Sequence, residues 1–556
     1  MEKNSGLPPR TVAQLMVECL EKEGVEFVFG IPGEENIHFT DAVSQSSIRY
    51  VLTRHEQAAS FMAEMYGRLT GKAGVCSATL GPGAINLLLG VADATTNSTP
   101  VVALSAQVGL SRIYKESHQS VDLVSMFDPV TKWSDLVMSA EAVPEMFRKA
   151  FKVAQTERPG AVYLAIPEDI EESDAPTELM PLPVNVPRSS DPSPEQIRRA
   201  ADIIRRAQRP IILAGHGAAR DNASAALLRF AEKLGICVAT TFNGKGVFPD
   251  GHPLALGAVG FMSHDYVNFG FDEADTIIAV GYELQEFNPG RINPDGDKTI
   301  LHISRVPAEV DHNYDVSVGI QSEIAKALDE LGDALDCRFT PPPSAKRIQA
   351  LLADELSDGL KNISFPLAPS RIVAETRAVC GQDDIVLADT GAVKMWMARL
   401  FPTYESNTCL VSNGLSTMSF ALPGAIAAKL AYPDRKVLAV MGDGAFLMHS
   451  QEIETAMREN VAFTILIWED DAYGLIEWKM DLAMGRHSAV KFQNPDFVAY
   501  AESFGAKGYR VSAADQLRPI LEEAMAQDTV SVVTCPVDYR ANLELTTSLG
   551  DLTGPF

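Results

Sequence analysis

Three α/β domains, each built on a doubly wound parallel sheet, are what this sequence predicts. One local pattern, a helix followed by a strand that runs into glycine, occurs three times. In the first copy Thr11 stands as a helix cap and Val12, Leu15, Met16 and Leu20 follow at helical spacing. Gly24 then stops the helix and residues 25–29 read as a strand. Ser370 opens a second copy, with Ile372, Val373, Ala374 and Val379, a stop at Gly381 and a strand over 385–388. Ser193 opens a third, with Ile197, Ala200, Ile203 and Ile204 before a strand over 210–214. These strands lead into Gly30, Gly391 and Gly215, as expected where parallel strands hand over to helices.

Length and linkers agree with three domains. A chain of 556 residues is too long for a single core. Residues 181–194 are rich in Pro, Ser and Asp, and 339–344 contain Pro341-Pro342-Pro343. The domains are expected at 1–185, 190–337 and 365–540, followed by a tail, 541–556, that could close over a site.

Composition narrows the function. Apolar residues make up 46% and charged residues 22%, and no run is long and apolar enough to span a bilayer. The first ten residues lack a basic-then-apolar leader pattern. Seven cysteines without Cys-x-x-Cys spacing read as free thiols in a reducing compartment, hence a cytoplasmic protein. With 47 Lys plus Arg against 73 Asp plus Glu, the net charge is −26. No basic cluster offers to neutralise phosphates, so nucleic acid is not an expected partner. An anionic ligand would need local positive charge or a metal.

Two strand ends supply the chemistry. The apolar run 437–441 stops at Gly442-Asp443-Gly444, and the run 463–468 stops at Glu469-Asp470-Asp471, with a helix expected over 451–459 between them. Ligands of open α/β sheets bind beyond the carboxyl ends of strands, where helix-start N–H groups attract phosphate. Glycines there allow close backbone approach, but an acid repels phosphate. A divalent cation between them removes the conflict, because Mg²⁺ is commonly held by one or two carboxylates plus diphosphate oxygens. Taken alone, Gly-Asp-Gly reads as a tight turn; the second acid-bearing strand end is what favours a metal.

Asp443, then Asp470 after 27 residues, then Ala472-Tyr473-Gly474, resembles the diphosphate motif of thiamine-diphosphate enzymes. The resemblance implies Mg²⁺ held by Asp443, Asp470 and the Ala472 carbonyl. It further implies cofactor contacts from Gly391, Gly442, Gly444, Ala445, Tyr473, Gly474, Leu475 and Ile476. Asp470 stands where most of the family has Asn. The family also needs a Glu after the second strand to hydrogen-bond the aminopyrimidine; here Glu56 follows residues 50–55 and opens a helix. Leu80-Gly81-Pro82-Gly83 is similar to the pyrimidine-binding domain, which places Gly81 and Pro82 at the cofactor. The stretch 412–418 is similar to the segment that bends the cofactor, with Ser416 and Met418 holding the pyrimidine and Met418 as wedge. Core packing suits Met418 equally well.

Within that superfamily the chain resembles the acetolactate synthases, and their catabolic branch in particular. The strings are Gln107, 118–122, 127–133, Gly281-Tyr282 with 286–289, 299–302, 494–497, 500–505 and 536–539. The resemblance implies thiamine diphosphate and Mg²⁺ without FAD. The implied reaction condenses two pyruvates to 2-acetolactate and CO2. The alternative is a thiamine-diphosphate decarboxylase or carboligase with another donor or acceptor. Leu475-Ile476, where a decarboxylase has an acid near the thiazolium, favours carboligation. Gln119 and His118 are candidates to orient substrate, and Lys132 to meet a carboxylate. Trp478 reads either as acceptor pocket or as core. Gly215, Gly217, Gly244 and Gly246 read either as turns or as a nucleotide site. The resemblance implies a homodimer or homotetramer with active sites at the subunit interface.

Overall fold

A strand in the middle of a parallel sheet is covered on both faces, so it must be buried along its whole length and largely apolar. Residues Val101–Gln107 and Ala161–Pro167 meet that demand: all fourteen are buried. Fully burying one Val, Leu, Ile or Phe side chain stabilises the fold by roughly 1.5–3 kcal/mol. The computed structural model describes residues 10–185, 190–261 and 265–550. The leader reading of residues 1–9, part of the first linker (186–189) and the end of the tail (551–556) lie outside them.

The chain forms two compact units. The first comprises residues 1–187 with two later stretches, 422–433 and 449–461. Its strands are β1 (Arg10–Thr11), β2 (Phe27–Gly30), β3 (Arg49–Leu52), β4 (Gly74–Ala78), β5 (Val101–Gln107), β6 (Trp133–Leu136), β7 (Ala161–Pro167) and β8 (Asp174–Ala175). Six of them make a parallel sheet in the order β3-β2-β4-β5-β7-β6, while β1 and β8 form a small antiparallel ribbon. Helix Val12–Lys22 begins where the sequence predicts. The Thr11 hydroxyl accepts the Gln14 N–H, and the Gln14 side chain accepts the Thr11 N–H, which satisfies two otherwise unpaired donors. Gly24, at φ +79°, ends that turn. The later stretches are bound in by specific contacts: the Arg54 N–H donates to the Glu452 carboxylate (3.0 Å), and the Tyr432 hydroxyl to the Leu69 carbonyl (2.9 Å).

The second unit holds two six-stranded parallel sheets. One contains β9 (Pro210–Ala214), β10 (Cys237–Thr241), β11 (Ala255–Val259), β12 (Thr276–Val280), β13 (Thr299–Ser304) and β14 (Val316–Gln321), ordered β11-β10-β9-β12-β13-β14. The other contains β15 (Ile385–Ala388), β16 (Cys409–Val411), β17 (Val437–Gly442), β18 (Thr464–Glu469), β19 (Lys507–Arg510) and β20 (Ser531–Pro536), ordered β16-β15-β17-β18-β20-β19. The fold class is therefore three parallel-sheet α/β domains. Buried Arg399 joins the two sheets' layers, donating to Asp265 and Glu355.

Local expectations fail at several places. Ser193 flanks helix Pro194–Arg206 without a capping bond from its side chain. Ser370 lies inside helix Pro369–Val379, which starts on a proline whose missing N–H costs nothing there. The helix expected over 451–459 is present as Glu452–Arg458, but a second helix, Asp443–His449, precedes it on the strand end and was not expected. The second linker runs directly into a 19-residue helix, Pro343–Lys361. Helix Arg540–Gly550 forms most of the tail. Trp478 is only 3% exposed and belongs to the apolar core of the last sheet, so of its two readings the structure gives core packing.

Candidate active site

At the carboxyl ends of β15 and β17 the backbone parts. A cleft of about 520 Å³ opens there, lined by Thr390–Val393, Met418, Gly442–Ala445, Asp470 and Ala472–Ile476, with Tyr539. Most of the proposed diphosphate-side residues meet in this one place. They are Gly391, Met418, Gly442, Asp443, Gly444, Ala445, Asp470, Ala472, Tyr473, Gly474, Leu475 and Ile476. Ser416 stands just outside the lining, its hydroxyl accepting a bond from the Lys394 ammonium (2.7 Å). Met418 faces the cleft rather than only filling the core.

Asp443 organises the two strand ends. Its Oδ2 accepts the N–H groups of Asp470 (3.0 Å) and Asp471 (2.8 Å) and the Asn494 amide (2.7 Å). Its Oδ1 accepts from Gly444 (2.7 Å), which leaves acceptor capacity toward a cation. Burial raises the Asp443 carboxyl, while the Asn494 and backbone bonds pull it down. Burial, then the Asp443 charge, push the Asp470 carboxyl up to about 8. Two acids held this close in a half-dry cleft favour protons or a metal. Two glycines serve close approach. A Cβ on Gly474 would meet Asp470 Oδ2 at 2.5 Å, and one on Gly444 would meet the Tyr473 ring at 2.8 Å.

The first unit carries a second cluster at the carboxyl ends of β3, β4 and β5. Glu56 opens helix Glu56–Thr70 behind the N-cap His55. The Asn86 amide donates to Glu56 Oε2 (3.0 Å), and a Cβ on Gly83 would stand 3.3 Å from Oε1. Gly81 (φ +52°) caps helix Pro82–Thr96, and a Cβ there would strike the Gln119 carbonyl at 2.6 Å. Glu56, Gly81, Pro82 and Gln119 therefore share one neighbourhood. The Gln107 amide, at the end of β5, donates to the Val121 carbonyl (3.1 Å) and ties down the loop bearing His118 and Gln119, both exposed.

Lys132 is a correction. It precedes β6, whose Trp133 pairs with Val162 near the start of β7, at the amino ends of the strands. Glu56, Gly81 and Gln107 lie at or beyond the carboxyl ends of the same parallel sheet. The Lys132 ammonium donates to the carbonyls of Val153 (2.6 Å) and Thr156 (2.7 Å), the C-terminal end of helix Val143–Gln155. It caps a helix dipole and is not placed to meet a substrate carboxylate.

Comparison with known proteins gives this geometry a family. Three domains of thiamine pyrophosphate enzymes match in order: the N-terminal TPP binding domain at 10–126, the central domain at 197–331 and the C-terminal TPP binding domain at 389–535. The chain belongs to the thiamine pyrophosphate enzyme family. Its relatives in that family include the catabolic acetolactate synthase of Raoultella terrigena, 38% identical over 95% of this chain and 95% of that one. A probable acetolactate synthase large subunit of Methanocaldococcus jannaschii is 36% identical over 97% and 94%. The acetolactate synthase of Bacillus subtilis is 34% identical over 96% and 94%.

The cleft fits the cofactor of a thiamine pyrophosphate (thiamine diphosphate) enzyme. A Cβ on Gly391 or Gly442 would meet nothing within 4 Å, so both glycines border open space. Thr390 Oγ1 and Asn494 Oδ1 are buried without a hydrogen-bond partner, as expected where a polar ligand is to be received. Asn494, Tyr539, Thr390 and Val393 are site residues that sequence reasoning missed. Asn494 and Tyr539 stood in strings that carried the resemblance, yet nothing in those strings assigns a role. Among the described residues no helix is long and apolar enough to cross a membrane.

Proposed function

We propose that this chain is a catabolic-type acetolactate synthase, joining two pyruvates to give 2-acetolactate and CO2 with thiamine diphosphate and Mg²⁺ and without FAD. The convergence of Asp443, Asp470 and Ala472 on one cleft carries the reading, together with relatives named acetolactate synthase over nearly the whole chain.

When bound, the cofactor supplies an electron sink for decarboxylation. The chain's residues do the rest. Asp443, Asp470 and the Ala472 carbonyl hold Mg²⁺, and the Gly442–Ala445 turn cradles the diphosphate. Glu56, with Oε2 fixed by Asn86, offers Oε1 to the aminopyrimidine and exchanges a proton there. Leu475 and Ile476 present apolar surface to the reacting end of the cleft, exclude water and so disfavour release of an aldehyde. Gln119, with His118 beside it, orients the substrate. The domains act as 1–185, 190–337 and 365–540, with the tail beyond them. The Glu56 cluster of one subunit completes the Asp443 cleft of another, in a cytoplasmic homodimer or homotetramer.

Incubation with pyruvate, thiamine diphosphate and Mg²⁺ tests the proposal, with product read as acetoin after acid decarboxylation. Acetoin that appears only after acid, needs no FAD and is lost in Glu56→Gln is the expected result. Acetaldehyde as the sole product would make this a decarboxylase. Untouched pyruvate with intact cofactor binding would mean a different donor.

A further inference from the structure

Lys394 is in an unfavourable place for a cation. It is the third residue of helix Ala392–Leu400, where the helix field favours anions, and only 7% of it is exposed. A buried ammonium at a helix start is retained only when it makes specific bonds. Its bonds run to the neighbouring strand-end turn: Nζ donates to Ser416 Oγ (2.7 Å) and to the Ser412 carbonyl (3.4 Å).

That turn, 412–420, follows β16, which runs parallel to β15 with Ala388 opposite Val411. It carries two non-glycine residues in the left-handed region, Ser416 at φ +54° and Ser419 at φ +68°. Such a conformation costs of order 1 kcal/mol per residue and persists only when its surroundings enforce it. Lys394 enforces one half. The Ser416 hydroxyl that accepts from Lys394 itself donates to the Asn413 carbonyl (3.3 Å), and the Asn413 amide donates to the Glu286 carbonyl (2.8 Å). Asp389, fully buried, enforces the other half: its carboxylate accepts the N–H groups of Ser419 (2.7 Å) and Ala421 (2.9 Å). Met418 lies between the two anchors and faces the cleft. Lys394 and Asp389 both flank the opposite wall, Thr390–Val393.

We infer that Lys394, seconded by Asp389, is a positioning residue that clamps the 412–420 turn and so presets Met418 and the pyrimidine-side wall of the cleft before cofactor arrives. This rests on the cofactor reading above and adds the device that prepares the site. A clamped turn offers the binding-competent conformation without the affinity penalty of a rarely populated one.

Two measurements on the full-length protein test it. Amide hydrogen exchange over 412–421, with no cofactor present, should rise in Lys394→Met and return toward wild type in Lys394→Arg; Ser416→Ala, which removes only the accepting hydroxyl, should loosen the same segment. The thiamine diphosphate Kd, read by tryptophan fluorescence with Mg²⁺, should weaken about tenfold in Lys394→Met, while kcat at saturating cofactor changes by less than about threefold. Unchanged exchange and Kd in both Lys394→Met and Ser416→Ala would overturn the clamp. Wild-type protein that fails to bind thiamine diphosphate would overturn the cofactor reading instead, and the exchange data would still decide the clamp.

Discussion

Two sheets of the second unit end their central strands in glycine turns, and the turns have opposite fates. Beyond β15 and β17, Gly391 and Gly442 border open space. Beyond β9 and β12, Gly215, Gly217 and Gly281 close on one another. A Cβ on Gly281 would strike the Ala218 nitrogen at 2.1 Å, and one on Gly215 would meet both the Gly281 carbonyl and Glu286 Oε1 at 2.6 Å. The buried Glu286 carboxylate accepts the N–H groups of His216 (2.9 Å) and Glu283 (3.0 Å) and the Thr241 hydroxyl (2.5 Å). The central sheet thus fills its own strand-end crevice with an internal carboxyl group, while the last sheet keeps its crevice open. Glycine at a strand end reports close approach; what approaches is settled by more distant residues.

Breaking the open turn should have the largest effect. Asp443→Asn removes the proposed metal ligand and half the charge pair, and kcat/KM should fall by more than about 100-fold, with loss of the thermal shift expected from thiamine diphosphate and Mg²⁺. Breaking the closed turn should cost stability rather than chemistry. Glu286→Ala removes the acceptor that three buried donors share, at roughly 3 kcal/mol in total, readable as a lower midpoint in denaturant; Glu286→Gln should recover part of it. A midpoint equal to wild type in Glu286→Ala would remove the contrast.

The pH response should sharpen the same comparison. The Asp470 carboxyl, pushed up to about 8, is protonated at pH 6.5 and must lose that proton to act as the proposed cation ligand. Metal affinity should therefore rise with pH, by at most about tenfold per unit, and level off above pH 8; a titration in Mg²⁺ at several pH values reads it. The sign for the metal-free protein is opposite. With its folded pKa above its unfolded one, this carboxyl lowers stability as pH rises between the two. The smallest effect belongs to Lys132→Met. It lies at the other edge of the first sheet and should leave kcat/KM within about twofold.

Much of this was legible in the sequence because it is local. The Thr11 capping box, the apolar strands and the Asp443–Asp470 pair depend on residues close in sequence or on strand ends that parallel pairing brings together. What escaped notice depends on distance. Asn494 reaches Asp443 across 51 residues, and Glu286 meets the 412–420 turn through Asn413. Lys132 was misplaced because a basic residue in a matching string carries no sign of which sheet edge it occupies. The helix over 451–459 was legible, whereas Asp443–His449 was not, because it begins at Asp443 itself, directly on the strand end.

The make-up of the first unit bears on how such a gene can be cut. Residues 422–433 and 449–461 fold with residues 1–187, held by Glu452 at Arg54, Tyr432 at Leu69 and His449 against Phe61 (ring centroids 5.8 Å). A fragment severed at the first linker would lack two of its own helices and expose the apolar surface they cover. Recombination between relatives at that linker would pack helix Glu56–Thr70 against helices shaped for another parent. Chimeras should therefore exchange 1–187 together with 422–433 and 449–461, so that the inherited piece is the one that folds.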